Sequence, residues 1–143
     1  MHHLDLGLFR WQIELTLDLL KLQHGNKLVD ELDRRLAMIP RYPDLKVFPK
    51  GLQSIARLTA SEYRSLMKVM IFVIDNLYGK NDKMMEHFIN NNNLTMLYEC
   101  WNKMYILSRS EEFSEQDLAK FKVIKINYFT RIKPFINSNL LKF

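Results

Sequence analysis

Apolar residues recur along this chain at spacings of three and four, with polar residues on the opposite side, which is the pattern of amphipathic helices. The densest stretch runs from Thr59 to Tyr78. Tyr63, Leu66, Met67, Met70, Ile71, Ile74, Leu77 and Tyr78 mark one face, and Val69, Phe72 and Val73 make the second half apolar on the other side too. A helix that is hydrophobic nearly all round is covered by its neighbours. This segment is therefore expected to be the central helix, with Val69, Met70, Phe72, Val73 and Ile74 among the most buried positions. Thr59 and Glu62 stand at the Ser/Thr-x-x-Glu spacing that satisfies backbone N–H groups at a helix start.

Leu4, Leu6 and Leu8 alternate in the manner of a short strand. From Phe9 to Leu22 two periods compete. Trp11, Ile13, Leu15, Leu17 and Leu19 alternate, whereas Leu8, Trp11, Leu15, Leu19 and Leu22 form a helical stripe. Glu, Gln, Asp and Leu outnumber β-branched residues, which favours helix, and Gly25 suits the position after its end. Lys27 to Ile39 predicts a second helix with Leu28, Leu32, Leu36 and Ile39 inward. On its outer side Asp30–Arg34 and Glu31–Arg35 are spaced for ion pairs. Pro40 ends it, and the segment from Arg41 to Gly51, with Pro43 and Pro49, reads as an extended connector. Leu52, Ile55, Ala56 and Leu58 suggest one helical stretch before Thr59.

Beyond the turn at Gly79 to Asp82, a short helix is predicted over Lys83 to Asn90, carrying Met84, Met85 and Phe88. The run Asn90 to Asn93 is a loop ending in an Asn cap. Leu94 to Ser108 is then helical through Leu97, Tyr98, Trp101, Met104, Tyr105 and Leu107. Ser114 to Asp117 is a second cap, opening a last helix whose core face is Leu118, Phe121, Ile124, Tyr128, Phe129 and Ile132. Pro134 should terminate or kink that helix. The fold expected is all-α: one domain over residues 1–143, an irregular bundle of about five main helices around 59–78, with a short N-terminal strand.

Charge changes this picture at one place only. The net charge is +5, and it all arises after residue 116, where Lys120, Lys122, Lys125, Arg131, Lys133 and Lys142 face Asp117 alone. Such asymmetry marks either a nucleic-acid-facing surface or an ordinary solvated helix face. Helical spacing puts Lys122, Lys125 and Lys133 on one side, away from Phe121, Ile124 and Tyr128. These three, with Lys120 and Arg131, are the candidate nucleic-acid contacts.

Other chemistry is sparse. There is no Gly-rich phosphate loop, His-Glu-x-x-His, paired-cysteine zinc spacing or Gly-x-Ser-x-Gly elbow, so no catalytic residue, cofactor site or small-molecule substrate is indicated. His2, His3 and Asp5 are metal ligands by type, but adjacent histidines point apart in regular structure; His24 and His87 lack ligand partners at readable spacing. Trp11, Trp101 and the other aromatics fall on helical stripes, the pattern of core packing. Cys100, the single cysteine, reads as a buried inert thiol without an internal disulfide partner, which fits a cytosolic or nuclear setting. The longest apolar run, Val69 to Ile74, is far short of the roughly 20 residues needed to span a bilayer, and the N-terminus lacks secretory-signal features.

Four segments taken together carry a resemblance: Met1-His2-His3-Leu4-Asp5-Leu6-Gly7-Leu8-Phe9; Val29-Asp30-Glu31-Leu32-Asp33-Arg34-Arg35-Leu36; Pro40-Arg41-Tyr42-Pro43-Asp44-Leu45-Lys46-Val47-Phe48 with Gly51-Leu52; and Glu62-Tyr63-Arg64 into Met67-Lys68-Val69. In this order they resemble the Plavaka-type DDE transposases of fungal genomes and their domesticated remnants. Trp101 to Tyr105 and Phe113, Asp117, Leu118 and Phe121 look like that family's later part. The likeness covers nearly the whole chain through loose apolar and charged patterns.

What it implies is a middle piece of a larger enzyme. These transposases have an RNase-H-like core whose acidic residues hold two divalent metals, such as Mg²⁺, for phosphodiester hydrolysis and strand transfer; a mostly helical insertion interrupts that core. The start at Met1 to Leu4 resembles the end of a core strand, which would place one catalytic acid before Met1 and the last after Phe143. Asp5 is the nearest carboxylate and does not fall on the motif position. On this resemblance the chain is the helical insertion alone, assisting DNA positioning, and is not expected to cleave DNA with Mg²⁺ or Mn²⁺. A stand-alone helical interaction module with no nucleic-acid role is the alternative.

Overall fold

The computed structural model describes residues 3–52, 57–79 and 88–140, with side chains described over 6–52, 57–79 and 88–137. The fold is all-α. Its elements are a π-helical stretch His3–Phe9, then α1 (Arg10–His24), α2 (Asn26–Ala37), α3 (Ala60–Ile74), α4 (Asn91–Ser108) and α5 (Glu115–Leu140); no strand occurs among the described residues. Contacts group the chain into two compact units, Met1–Gly79 and Lys80–Phe143. The helical turn expected around Ile55 and Ala56, the segment 83–87 of the short helix with Met84, Met85 and His87, and the side chains of His2, His3 and Asp5 lie outside the described residues.

The first unit is built on α3. Its start is the expected capping box: Thr59 Oγ1 accepts from Glu62 N, and Glu62 Oε2 accepts from Thr59 N at 2.7 Å. The predicted strand at Leu4 to Leu8 is corrected to helix. This stretch delivers Phe9, fully buried, edge-on to Tyr63 with ring centroids 6.4 Å apart. Through α1 the buried stripe is Phe9, Gln12, Ile13, Thr16, Leu19 and Leu20, with Leu15 beside it, while Trp11 and Leu22 are exposed. The stripe contains two polar residues, Gln12 and Thr16, which is why apolar counting misplaces it by one residue. The Thr16 hydroxyl is satisfied locally, donating to Gln12 O at 2.8 Å.

Helix α2 buries Leu32 and Leu36 as predicted. Of its two predicted ion pairs, Glu31–Arg35 forms and Asp30–Arg34 does not. Glu31 accepts from both Arg34 (2.7 Å) and Arg35 (3.0 Å), and Arg34 turns to Glu31 in place of Asp30. The hydrogen bonds from Arg34 and then Arg35 hold the Glu31 carboxyl down at about 2. Arg35 also reaches across the fold. Its Nη1 donates to Val73 O and Asp75 O at 3.0 and 2.8 Å, so a cation on α2 occupies carbonyls freed where α3 ends. The connector is pinned at two points, Lys46 N donating to the buried Ser65 Oγ and Leu52 N to Asp33 Oδ1.

Phe72 is the main correction to the predicted core. Val69, Met70, Val73 and Ile74 are buried, but Phe72 is 76% exposed. Helix α3 carries more apolar residues than the N-terminal helices cover, and Phe72 is on the side left over. A buried phenylalanine would lose about 3–5 kcal/mol on truncation. At this exposed site Phe72→Ala should instead change stability by less than about 0.5 kcal/mol, while Met70→Ala should cost about 2–5 kcal/mol. Parallel urea titrations of the two variants check the assignment, and a large loss from Phe72→Ala would refute it.

The second unit is an antiparallel helix pair. Helix α4 starts at the first asparagine of its polar run, not the last: Asn90 Oδ1 accepts from Asn93 N at 2.8 Å. Residues 88–90 are not helical. Helix α5 starts at the predicted Ser114, whose Oγ accepts from Asp117 N while Asp117 Oδ2 accepts from Ser114 N, both at 3.1 Å. Pro134 does not terminate α5, which runs through it to Leu140. A proline inside a helix costs about 3 kcal/mol. Ile132 and Phe135 are buried on either side of it, and at about 1.5–3 kcal/mol each their burial offsets that cost.

Candidate functional site

The α4–α5 pair is packed at one end and open at the other. Leu94, Leu97, Tyr98, Trp101 and Met104 of α4 are buried, as are Tyr128, Ile132 and Phe135 of α5. From Tyr105 to Asn127, the turn half of the hairpin, no residue is buried. The predicted core face of α5 is therefore corrected in its first half: Phe121 and Ile124 are half-buried, and Leu118 and Phe129 are exposed.

The five candidate cations separate into three environments. Lys122, Lys125 and Lys133 gather as expected, lining with Ile126, Phe129 and Thr130 a shallow depression of about 530 Å³ on the side of α5 away from Tyr128. Among the described residues none of these three lysines is in an ion pair. Lys120 lies on a different side, at the rim of a groove between α4 and α5, where its charge helps hold Asp117 low after the two Ser114 hydrogen bonds. Arg131 is turned toward α4 and half-buried, its Nη1 3.6 Å from Met96 Sδ. It does not share the lysine face.

The groove is lined by Lys103, Ile106, Leu107, Ser110, Ala119, Lys120, Val123 and Ile124 and holds about 660 Å³. Its walls are mostly apolar. Ile106 is 71% exposed and Val123 59%, and Ile126 on the neighbouring face 65%. Periodicity does not single out these residues, because Val123 and Ile126 fall off the assigned stripe. The usable signal is a surplus: α5 carries Leu118, Phe121, Val123, Ile124, Ile126, Tyr128, Phe129 and Ile132, more apolar positions than one helix face can bury.

Cys100 on α4 is half-buried. Among the described residues no group of three or more His, Cys, Asp or Glu side chains comes together, and no helix is long and apolar enough to cross a membrane. Burial raises the Tyr128 hydroxyl pKa, with Tyr98 adding to the shift; this is a core position with no opening to the lysine face.

Compared with protein-family models, curated proteins and solved structures, the chain matches none.

Proposed function

We propose that the chain is a non-catalytic helical binding module whose working surface is the turn half of the α4–α5 hairpin, and that its partner is a protein. The observation that carries this reading is the absence of any buried residue between Tyr105 and Asn127, although the stretch holds Ile106, Leu118, Val123 and Ile126. Contiguous exposed apolar patches on soluble domains mark interaction sites. Covering half of these four side chains is worth about 3–6 kcal/mol in gross terms, at about 1.5–3 kcal/mol for a whole one, before the cost of association.

The test is a photo-reactive residue introduced at Val123 or Ile126 in the expressed full chain, with the exposed Asn92, at the packed end of the same hairpin, as control. A discrete, protease-sensitive adduct is expected from the first two positions and not from Asn92. A nuclease-sensitive adduct, or no discrete adduct, would overturn the reading.

A second reading has its own support in the clustering of Lys122, Lys125 and Lys133. On it, the chain is the helical insertion of a transposase-like enzyme, the metal-binding acids lie in the parent's flanking core, and this face contacts phosphates. Three phosphate contacts give a log–log salt slope of about −2.7 on duplex DNA. The triple change of these lysines to Gln should flatten that slope with the fold intact, since exposed charges contribute little to stability. An unaltered slope leaves the three lysines as a solvated face.

A further inference from the structure

We infer that the groove between the turn halves of α4 and α5 takes an amphipathic helix with carboxylates flanking its apolar face, supplied by another protein as the third helix of a bundle. This rests on the protein-binding reading above and specifies the ligand. Two antiparallel helices side by side leave a groove running along their axes, and a third helix is the element whose shape fills it. Here Ile106 and Leu107 of α4 face Val123 and Ile124 of α5 across it. Ala119 keeps one end of the floor low enough for close approach. The helical part of the α4 wall, from Lys103 to Ser108, is roughly 9 Å long, so the ligand would seat apolar anchors at i and i+3 or i+4.

Charge selects among occupants. Lys103 stands on the α4 rim and Lys120 on the α5 rim, and no carboxylate is among the described residues that line the groove. A second copy docked through the same patch would bring four lysines and no carboxylate into one contact, since a two-fold interface uses the same surface on both copies. Nucleic acid would engage the lysines and leave Ile106 and Val123 in water. A helix with Glu or Asp beside its apolar anchors satisfies both rims and the floor.

The experiment uses fluorescence polarisation with the full chain and three labelled, helix-stapled peptides of about four turns. One carries Leu anchors flanked by Glu, the second the same Leu anchors flanked by Lys, and the third Ser anchors flanked by Glu. The first peptide should bind at least about tenfold more tightly than either control. Val123→Glu should weaken it about tenfold at unchanged circular dichroism, and the double variant Lys103→Gln/Lys120→Gln should weaken it and reduce its salt dependence. The double variant changes only charge, so it decides the matter even if Val123→Glu perturbs the hairpin.

Equal binding of the Lys-flanked peptide would overturn the acidic chemistry while leaving the protein-binding reading intact. Failure of all peptides with a protein adduct still forming at Val123 would overturn the acidic helix as the ligand, and an adduct at Ile126 alone would move the partner off this groove. Failure of both would sink the binding module itself. Displacement of the acidic peptide by short duplex DNA would favour the phosphate reading, and concentration-dependent dimerisation abolished by Val123→Glu would replace the partner with a second copy.

Discussion

Trp101→Ala is expected to remove about 3–5 kcal/mol of stability, the range for truncating a large buried aromatic in a packed core. Trp101 has no exposed surface and lies between two aromatic neighbours, its ring centroid 5.5 Å from Tyr128 on α5 and 6.1 Å from Tyr105. It is where α4 and α5 hold each other, so its loss should unfold the C-terminal unit at a clearly lower denaturant concentration. The contrast is Ile106→Ala, five residues along the same helix. At 71% exposure it should stay within about 0.5 kcal/mol of the parent. Circular dichroism against urea concentration measures both. Comparable losses from the two would mean that the hairpin is packed along its whole length and that the open groove is absent.

This contrast also explains what could be read from sequence and what could not. Caps are local, involving residues three apart, and both Thr59–Glu62 and Ser114–Asp117 form where the sequence puts them. The clustering of Lys122, Lys125 and Lys133 is also local, since it follows from helical geometry once α5 is accepted. Burial is not local. Phe72, Leu118 and Phe129 all lie on helices rich in apolar residues, and whether each is covered depends on how many neighbours reach that side. Pattern alone counts the apolar residues without counting the partners available to bury them. The groove between α4 and α5 is invisible to pattern for this reason.

Arg35 shows the same limit for polar groups. Its spacing to Glu31 predicts an ion pair, which forms at 3.0 Å. Its larger role, donating to Val73 O and Asp75 O, joins residues 38 and 40 positions apart, and no spacing rule reaches that far. Conversely, Gln12 and Thr16 are buried polar residues within an apolar stripe, where a rule that counts them as outward must lose the register. The sequence is informative about which helices exist, and much less so about which side of each helix is covered.

Gly51→Ala should be among the most damaging single changes in the N-terminal unit, at about 2–6 kcal/mol. Two costs add. Gly51 has φ +65, where a residue bearing a Cβ is strained by about 1–3 kcal/mol. A Cβ at this position would also overlap the Asp33 carboxylate, which cannot withdraw freely because its Oδ1 accepts a 2.8 Å hydrogen bond from Leu52 N. Displacing it leaves that N–H short of its partner, worth about 1–3 kcal/mol where burial denies it water. Leu52 is itself buried, so the connector would lose its anchor on α2 together with an apolar contact. A companion variant separates the two costs. Asp33→Gly removes the whole obstructing side chain, Cβ included, so in that background Gly51→Ala should cost only the backbone strain. The double variant should then be less destabilised than the sum of the singles, with a coupling of about 0.5–3 kcal/mol as expected for residues in contact. Strict additivity in the same urea titrations would show that Asp33 and Gly51 do not meet.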